Sequence, residues 1–437
     1  MWRKIGFVLL LTVAAVVPVI VLVLLPAWAL LVGVALLIAW LAFTRTGRQA
    51  RSATAVAITT IPQRLGSSSV VIIGIAGVVG VLIALLAMAE GFRATLQQTG
   101  SDDTAIVLRA GSQTEINSVV DHDSAIVVSQ EPQVLRDAQG RPIASPETVV
   151  AAAIPKKGTG IDANVEIRGV GEEVWRLDPR LRIIAGRRFR PGLRELIVGK
   201  DAVREFAHTS IGSSLDLNGE PWVVVGVFDS GDSHNSELWA DTAVVATAYQ
   251  RGSSTSSVTV RLRSARDFDA FKAAIATDPR LKLQVQTTRD YFNAQSEGLS
   301  KAIRVLGTTV AVIMAIGALF GALNTMYAAV ATRTREIATL RAIGFRGAPV
   351  VVSVLIETLL LAIGGGVVGA AIAWLLFNNY TASTLGANFS QVVFEFRVTP
   401  GLIAGGFKWA LAIGFLGGLF PAVRAARMPV TDGLREL

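Results

Sequence analysis

The stretch VLGTTVAVIMAIGALFGALNTMYAAVAT occupies residues 305–332 without a single Asp, Glu, Lys or Arg. It is followed at once by RTREIATLRAIGFRG at 333–347. About 20 apolar residues cross a bilayer, so the first segment reads as a membrane helix and the second as the basic turn that ends it. A second uncharged run covers 40 residues, from Ile5 to Thr44. Over the whole 437 residues, 51% are hydrophobic and 17% charged, with a mean hydropathy of +0.52. A soluble domain carries roughly 25% charge, so a wholly soluble fold is excluded. Transmembrane β-barrel strands, with their ~10-residue alternation, are excluded too.

Six spans follow from hydropathy: roughly Ile5–Leu25, Ala27–Thr44, Ser67–Ala89, Ala302–Ala329, Val350–Phe377 and Gly401–Val423. Pro26 separates the first two, and Pro18 is placed to kink the first. Ala27-Trp28-Ala29 resembles a signal-peptide cleavage site, but the 21 apolar residues before Pro26 exceed the usual ~7–15. The reading is therefore a retained hairpin over 1–45. An amphipathic cytoplasmic linker follows at 46–66, then a span at 67–89, an outer domain at 90–301 and a three-helix region at 302–437.

Charge placement sets the orientation. The segments assigned to the cytoplasm hold thirteen Lys or Arg against Glu336, Asp432 and Glu436, a net of +10. The region Glu90–Lys301 nets −3 from 25 basic and 28 acidic residues. Basic residues gather on the cytoplasmic side, so both termini are expected inside. The overall charge of +8 then needs no nucleic acid to explain it.

The long region between the third and fourth spans is large enough for its own core. Val258, Val260 and Leu262 alternate with polar residues as in a strand, and Asn218-Gly219 signals a hairpin. Phe268, Phe271 and Ile275 fall at helical spacing before strand-like Leu283–Gln286. A mixed α/β domain is expected. Catalysis is not. His122, His208 and His234 have no partners at metal-site spacing. His234 reads as a solvated loop residue, and Asp102-Asp103 and Glu172-Glu173 read as surface pairs. With no Cys, the chain has neither a thiolate metal site nor a disulfide. No phosphate-binding G-x-x-x-x-G-K-[ST] loop occurs, so no cofactor is expected on this chain.

Within the membrane, Gly317/Gly321, Gly365/Gly369, Gly401/Gly405 and Gly414/Gly418 repeat at four-residue spacing. Such pairs favour close helix packing or a dimer interface. Glu357 lies about 10 Å inside its span. It is either functional or paired with Arg341 or Arg346. Lys408 is able to snorkel outward, at a depth that separates it from Glu357 by roughly 10 Å. In the basic turn, Ile337, Leu340 and Ile343 recur every three residues between charges. That pattern suits a short helix docking into a partner's groove as well as a plain positive-inside turn.

These residues also carry a resemblance. Asn324 through Arg333, Arg335-Glu336-Ile337, Leu340-Arg341-Ala342-Ile343-Gly344 and Glu357 resemble the permeases of MacB-type ABC transporters. Lipoprotein-releasing and FtsX-like permeases belong to the same group. Ile73-Gly74-Ile75, Ala89-Glu90-Gly91-Phe92, Gly186-Arg187-Arg188-Phe189, Glu195 to Gly199 and Val225-Gly226-Val227 agree, as do Phe420-Pro421-Ala422, Ala425-Ala426, Pro429-Val430 and Leu434-Arg435. The resemblance spans roughly Ala53 to Leu437, and the N-terminal hairpin is extra to the family's usual four spans.

It implies a non-catalytic permease subunit of the bacterial inner membrane, coupled through Arg333, Arg335, Glu336, Ile337, Leu340, Arg341, Ile343 and Gly344 to a separate ABC ATPase that binds ATP and Mg. It further implies a second permease copy, contact with lipid, and a periplasmic adaptor with an outer-membrane channel. Motion of the ATPase would be transmitted to the outer domain to move a lipophilic substrate or lipoprotein. The alternative is an FtsX-like scaffold that regulates a cell-wall hydrolase and transports nothing.

Overall fold

The computed structural model describes residues 26–59, 65–386, 388 and 390–431. The first expected span and the C-terminal Leu434-Arg435 lie outside them. The chain divides into a helical unit, formed by residues up to Met88 with Ile303–Asn379 and Arg397 onward, and a sheet unit, Ala89–Ala302 with Tyr380–Phe396.

The described helices and strands run in chain order. Helices α1 (Ala27–Phe43), α2 (Arg45–Thr59) and α3 (Leu65–Thr99) come first. Then follow β1 (Thr104–Arg109), α4 (His122–Gln130), β2 (Ala144–Pro155), β3 (Asp162–Val170), α5 (Val174–Leu177), β4 (Arg182–Gly186) and β5 (Glu195–Gly199). Next are α6 (Lys200–Glu205), β6 (Ser214–Leu217), β7 (Glu220–Asp229), β8 (Leu238–Asp241), α7 (Thr242–Ala248) and β9 (Ser257–Arg261). The chain ends with α8 (Phe268–Thr277), β10 (Leu283–Thr287), α9 (Thr288–Thr332), α10 (Thr334–Ala342), α11 (Gly347–Phe377), β11 (Thr381–Leu385), β12 (Gln391–Glu395) and α12 (Pro400–Arg427).

Among the described residues, four helices are long and apolar enough to cross a membrane, within α3, α9, α11 and α12. Of the six expected spans, these four are found, the first lies outside the described residues, and the second is the shorter helix α1. Helix α1 has 17 residues, about 25 Å at 1.5 Å per residue, which falls short of a hydrocarbon core of about 30 Å. Helix α9, at 45 residues, is roughly twice the length a span needs. It passes from the sheet unit into the helical unit, as α3 does in the opposite direction.

In the helical unit the glycine pairs divide. A Cβ on Gly369 would stand 2.5 Å from the Ala76 carbonyl oxygen, and one on Gly365 2.9 Å from that of Ile72, so α3 and α11 touch backbone to backbone. A Cβ on Gly414 or Gly418 would meet the side chains of Ala362 and Thr358, joining α12 to α11. Gly317, Gly321 and Gly405 face open space. Gly369→Ala is therefore expected to lower the thermal midpoint of the detergent-solubilised protein, by a cost of about 1–3 kcal/mol for overpacking, while Gly405→Ala leaves it unchanged. Equal midpoints for the two variants would contradict this packing.

The sheet unit is built on ten strands in the order β10-β1-β9-β2-β3-β8-β5-β7-β4, with β6 beside β7. Pairings are antiparallel except β3–β8 and β5–β7. Asn218 and Gly219 turn β6 into β7 with φ of 56° and 79°. Phe271 and Ile275 of α8 bury against Val258, Val260 and Val285. A second core gathers Val150, Val165, Ile167, Leu196, Phe206 and Trp222.

No element stands out by sequence between the last two spans. The structure has a hairpin there, β11–β12, and it belongs to the sheet unit. Phe394 packs edge-on against Phe92 at 5.5 Å. Lys156 Nζ donates to Ser383 Oγ at 2.7 Å, and Ser383 donates to Glu205 at 2.6 Å.

Candidate functional site

The basic turn folds as α10, a nine-residue helix between two bends. Its N-terminal boundary residue, Arg333, leaves helical geometry (φ −109°, ψ 11°). At the other end Gly344 takes φ +104°, a backbone that L side chains rarely adopt. Thr334, Ile337 and Ala338 are buried within the helical unit, Leu340 is half-buried, and Ile343 is 69% exposed. The apolar stripe is thus shared between the chain's own core and an open surface. Arg335, Glu336, Thr339 and Leu340 line a groove of about 430 Å³ with Ala53 of α2. Helix α2 presents Ala50, Ala53 and Thr54 inward and keeps Arg45, Arg51 and Ser52 exposed, as an amphipathic segment does.

Arg333 ties this surface to the membrane helices. Its guanidinium reaches Glu336 on α10 at 3.1 Å and Glu357 on α11 at 3.1 Å. The Arg333 and Glu357 side chains are only 12% and 8% exposed. Glu357 is therefore paired with Arg333, eight residues before Arg341, the nearer of the two arginines considered from sequence. Arg341 instead donates to the Met428 carbonyl, fastening α10 to the end of α12. Lys408 lies half-buried on α12.

The sheet unit holds a second polar centre that sequence reasoning missed. Arg168 of β3 is buried with four glutamates around it. Its Nη1 reaches Glu115 at 2.8 Å and Glu147 at 2.7 Å, Nη2 reaches Glu166 at 2.7 Å, and Nε reaches Glu237 at 2.8 Å. Ser257 and the Trp239 indole each donate to one of these carboxylates at 2.7 Å. Asn388 and Ser390, beside the β11–β12 turn, donate to Glu166 at 3.0 and 3.1 Å. Burial, reinforced by the charge of Glu237, pushes Glu166 up to about 7. Burial also raises Glu147.

His234 borders this centre, and the expectation of a solvated loop histidine is corrected. Its ring packs edge-on to Trp239 at 5.6 Å and Phe292 at 5.8 Å, and Nδ1 lies 3.0 Å from Asp232. Burial opposes its charge, but Asp232 and Glu237 outweigh that and raise it to about 9. Asp102 and Asp103 pair with Arg289 and Arg261 at the surface. Among the described residues no group of His, Asp and Glu has the arrangement of a metal site.

Residues 68–278 match the family model of the MacB-like periplasmic core domain, and residues 308–430 match that of the FtsX-like permease C-terminal domain. The chain is a permease of the MacB/FtsX-like family. The macrolide export ATP-binding/permease protein MacB of Burkholderia pseudomallei is 24% identical over 401 residues, covering 83% of this chain and 56% of that protein. Its counterpart in Photorhabdus laumondii is 27% identical over 297 residues, covering 64% and 44%. The chain thus spans about half the length of the curated relatives it matches.

Two solved structures are also similar. The periplasmic region of MacB from Actinobacillus actinomycetemcomitans is 16% identical, with a TM-score of 0.35, covering 46% of this chain and 96% of that one. The extracellular domain of the ABC-type transporter YknZ from Gram-positive bacteria is 19% identical, with a TM-score of 0.32, covering 42% and 100%. In this ABC-transporter permease, the core-domain match takes in every strand from β1 to β9, and the C-terminal match takes in α10, α11 and α12.

Proposed function

We propose that this permease of the bacterial inner membrane receives motion from an ABC ATPase seated on α10 and passes it to the sheet unit, to extract or export a lipophilic substrate or lipoprotein. The carrying observation is the Arg333 bridge, which holds Glu336 on the surface helix and Glu357 in the membrane helix by one guanidinium. A displacement of α10 is then a displacement of α11. Ile343 and Leu340 supply the apolar contact, Arg335 the charged rim, and Gly344 the turn that presents them. Ile337, being buried, supports the helix from behind.

ATP and Mg belong to the ATPase in this reading. A second permease copy completes the symmetric pair that two closing ATPase domains need. An adaptor and an outer-membrane channel are the partners of the sheet unit in a two-membrane cell. Coupling requires the sheet unit to favour different arrangements with and without ATP.

Ile343→Asp tests the seat. A buried aliphatic side chain is worth about 1.5–3 kcal/mol, and 1.4 kcal/mol is a factor of ten. ATPase recovered with the detergent-solubilised chain should therefore fall at least about tenfold, with membrane insertion unchanged. Wild-type recovery of the ATPase with Ile343→Asp, and likewise with Leu340→Asp, would sink the assignment.

A further inference from the structure

A cavity of about 330 Å³ opens beside the Arg168 centre, wholly within the sheet unit. Its apolar wall is Val174, Leu177, Trp239 and Phe292, each no more than 8% exposed. Its polar wall includes Glu147 and His234.

Two atoms on the polar wall are not consumed by the fold. Glu147 is 5% exposed, and among the described residues its side-chain hydrogen bond is with Arg168, which takes Oε2. Among the described residues no hydrogen bond reaches Oε1. His234 places Nδ1 3.0 Å from Asp232, and among the described residues no hydrogen bond reaches its Nε2. Ionised carboxylates accept up to four hydrogen bonds, and a buried one left short costs free energy.

The charge balance gives the sign of the missing partner. The cations at the cavity are Arg168, Arg180, Arg261 and His234. The carboxylates they serve are Glu115, Glu147, Glu166 and Glu237 on Arg168, Asp178 and Asp232 on Arg180, and Asp103 on Arg261, with Asp232 also holding His234. Asp103, Glu115, Glu147 and Asp178 line the cavity beside those cations, and Glu166, Glu237 and Asp232 stand behind the cations, so seven carboxylates are grouped with four cations. An anion would enter against that field. A bare metal ion would lack the three-ligand grouping that no described residues provide.

We infer that this cavity is a binding site for a small organic cation, an amine whose ammonium donates to Glu147 Oε1 and whose apolar body lies against Leu177, Trp239 and Phe292. The volume stands at the low end of ligand pockets, so the ligand is a compact molecule. The site makes no use of α10 and stands or falls independently of the ATPase seat.

The probe is 2-phenylethylamine, titrated calorimetrically into the full chain in detergent at pH 7.5, with neutral 2-phenylethanol as its near-isostere. One amine per chain should bind, at least about tenfold more tightly than the alcohol, as a charge-assisted bond to a buried carboxylate provides. Glu147→Gln should lower amine affinity about tenfold and leave the alcohol unaffected. Arg168 keeps three other carboxylates in that variant, so the fold is retained. Leu177→Trp fills the apolar end and should abolish binding of both compounds, which decides the matter if Glu147→Gln misfolds. Equal affinity for amine and alcohol, wild-type amine affinity in either variant, or no binding of the amine up to millimolar concentration each overturns the site.

Discussion

Arg168→Met is expected to unfold the sheet unit under conditions where the wild-type chain is stable. Five N–H donors of Arg168 meet six carboxylate oxygens, all within 3.1 Å. Methionine matches the aliphatic stem and supplies none of these bonds. It would leave Glu115, Glu147, Glu166 and Glu237 buried together with no cation among them. Breaking a buried ion pair from one side costs about 3–5 kcal/mol, against a total domain stability of about 5–15 kcal/mol. Here one residue serves four carboxylates, so the upper end applies. Limited proteolysis within 104–287 should become rapid, while the helical unit stays inserted. Arg168→Lys should be intermediate, since an ammonium keeps the charge but has three donors instead of five. Wild-type protease resistance for Arg168→Met would show that the centre contributes nothing to stability.

Stability of the sheet unit should fall as pH rises from about 5 to about 9. Glu166 is held at about 7 against 4.5 when free. The folded state therefore binds more protons than the unfolded chain between those values, and stability drops across that window. His234 is held at about 9 against 6.5. Its contribution is complete below 6.5 and is lost as pH climbs through 9. Both slopes have the same sign, and each is on the order of 3 kcal/mol at 1.36 kcal/mol per pKa unit. Arg168 and Glu237 face both groups, Glu115 and Glu147 face Arg168, and Asp232 faces His234. Asp232 and Glu115 are drawn below their ordinary values by His234 and Arg168 against the cost of burial. Their stabilisation is therefore lost in acid, which places the maximum near pH 5. Amide exchange of β3 and β8 in the intact protein measures this. His234→Gln should flatten the upper slope alone, and a wild-type profile level from pH 5 to 9 would refute the assignment.

Much of the architecture was legible because lipid is a stringent solvent. The uncharged run at 305–332 marked its helix, and the spacing of Phe268, Phe271 and Ile275 marked α8. Span count was less legible. Hydropathy registers that α1 is apolar, but not that its regular helix stops at 17 residues.

The Arg168 centre was illegible for a different reason. Val165-Glu166-Ile167-Arg168 alternates apolar and charged residues, which is the pattern of a strand with one wet face. Both faces of β3 are in fact covered from Val165 to Val170. Asn388 and Ser390 close over Glu166 from more than 200 residues away, and no local pattern announces that. The same holds for His234, whose polar neighbours suggested solvent while Trp239 and Phe292 supplied the walls.

Sequence alone therefore determined the four long apolar helices, where the basic turn lies, and that a mixed domain stands between two of those helices. Each of those is written in composition over a contiguous window, since transfer of a segment into lipid depends on its own side chains. Tertiary structure alone decided the partner of Glu357, the open and covered halves of the Ile337–Ile343 stripe, and the burial of one arginine among four glutamates. Those depend on residues brought together by folding, whose charges interact through a medium that the chain itself creates.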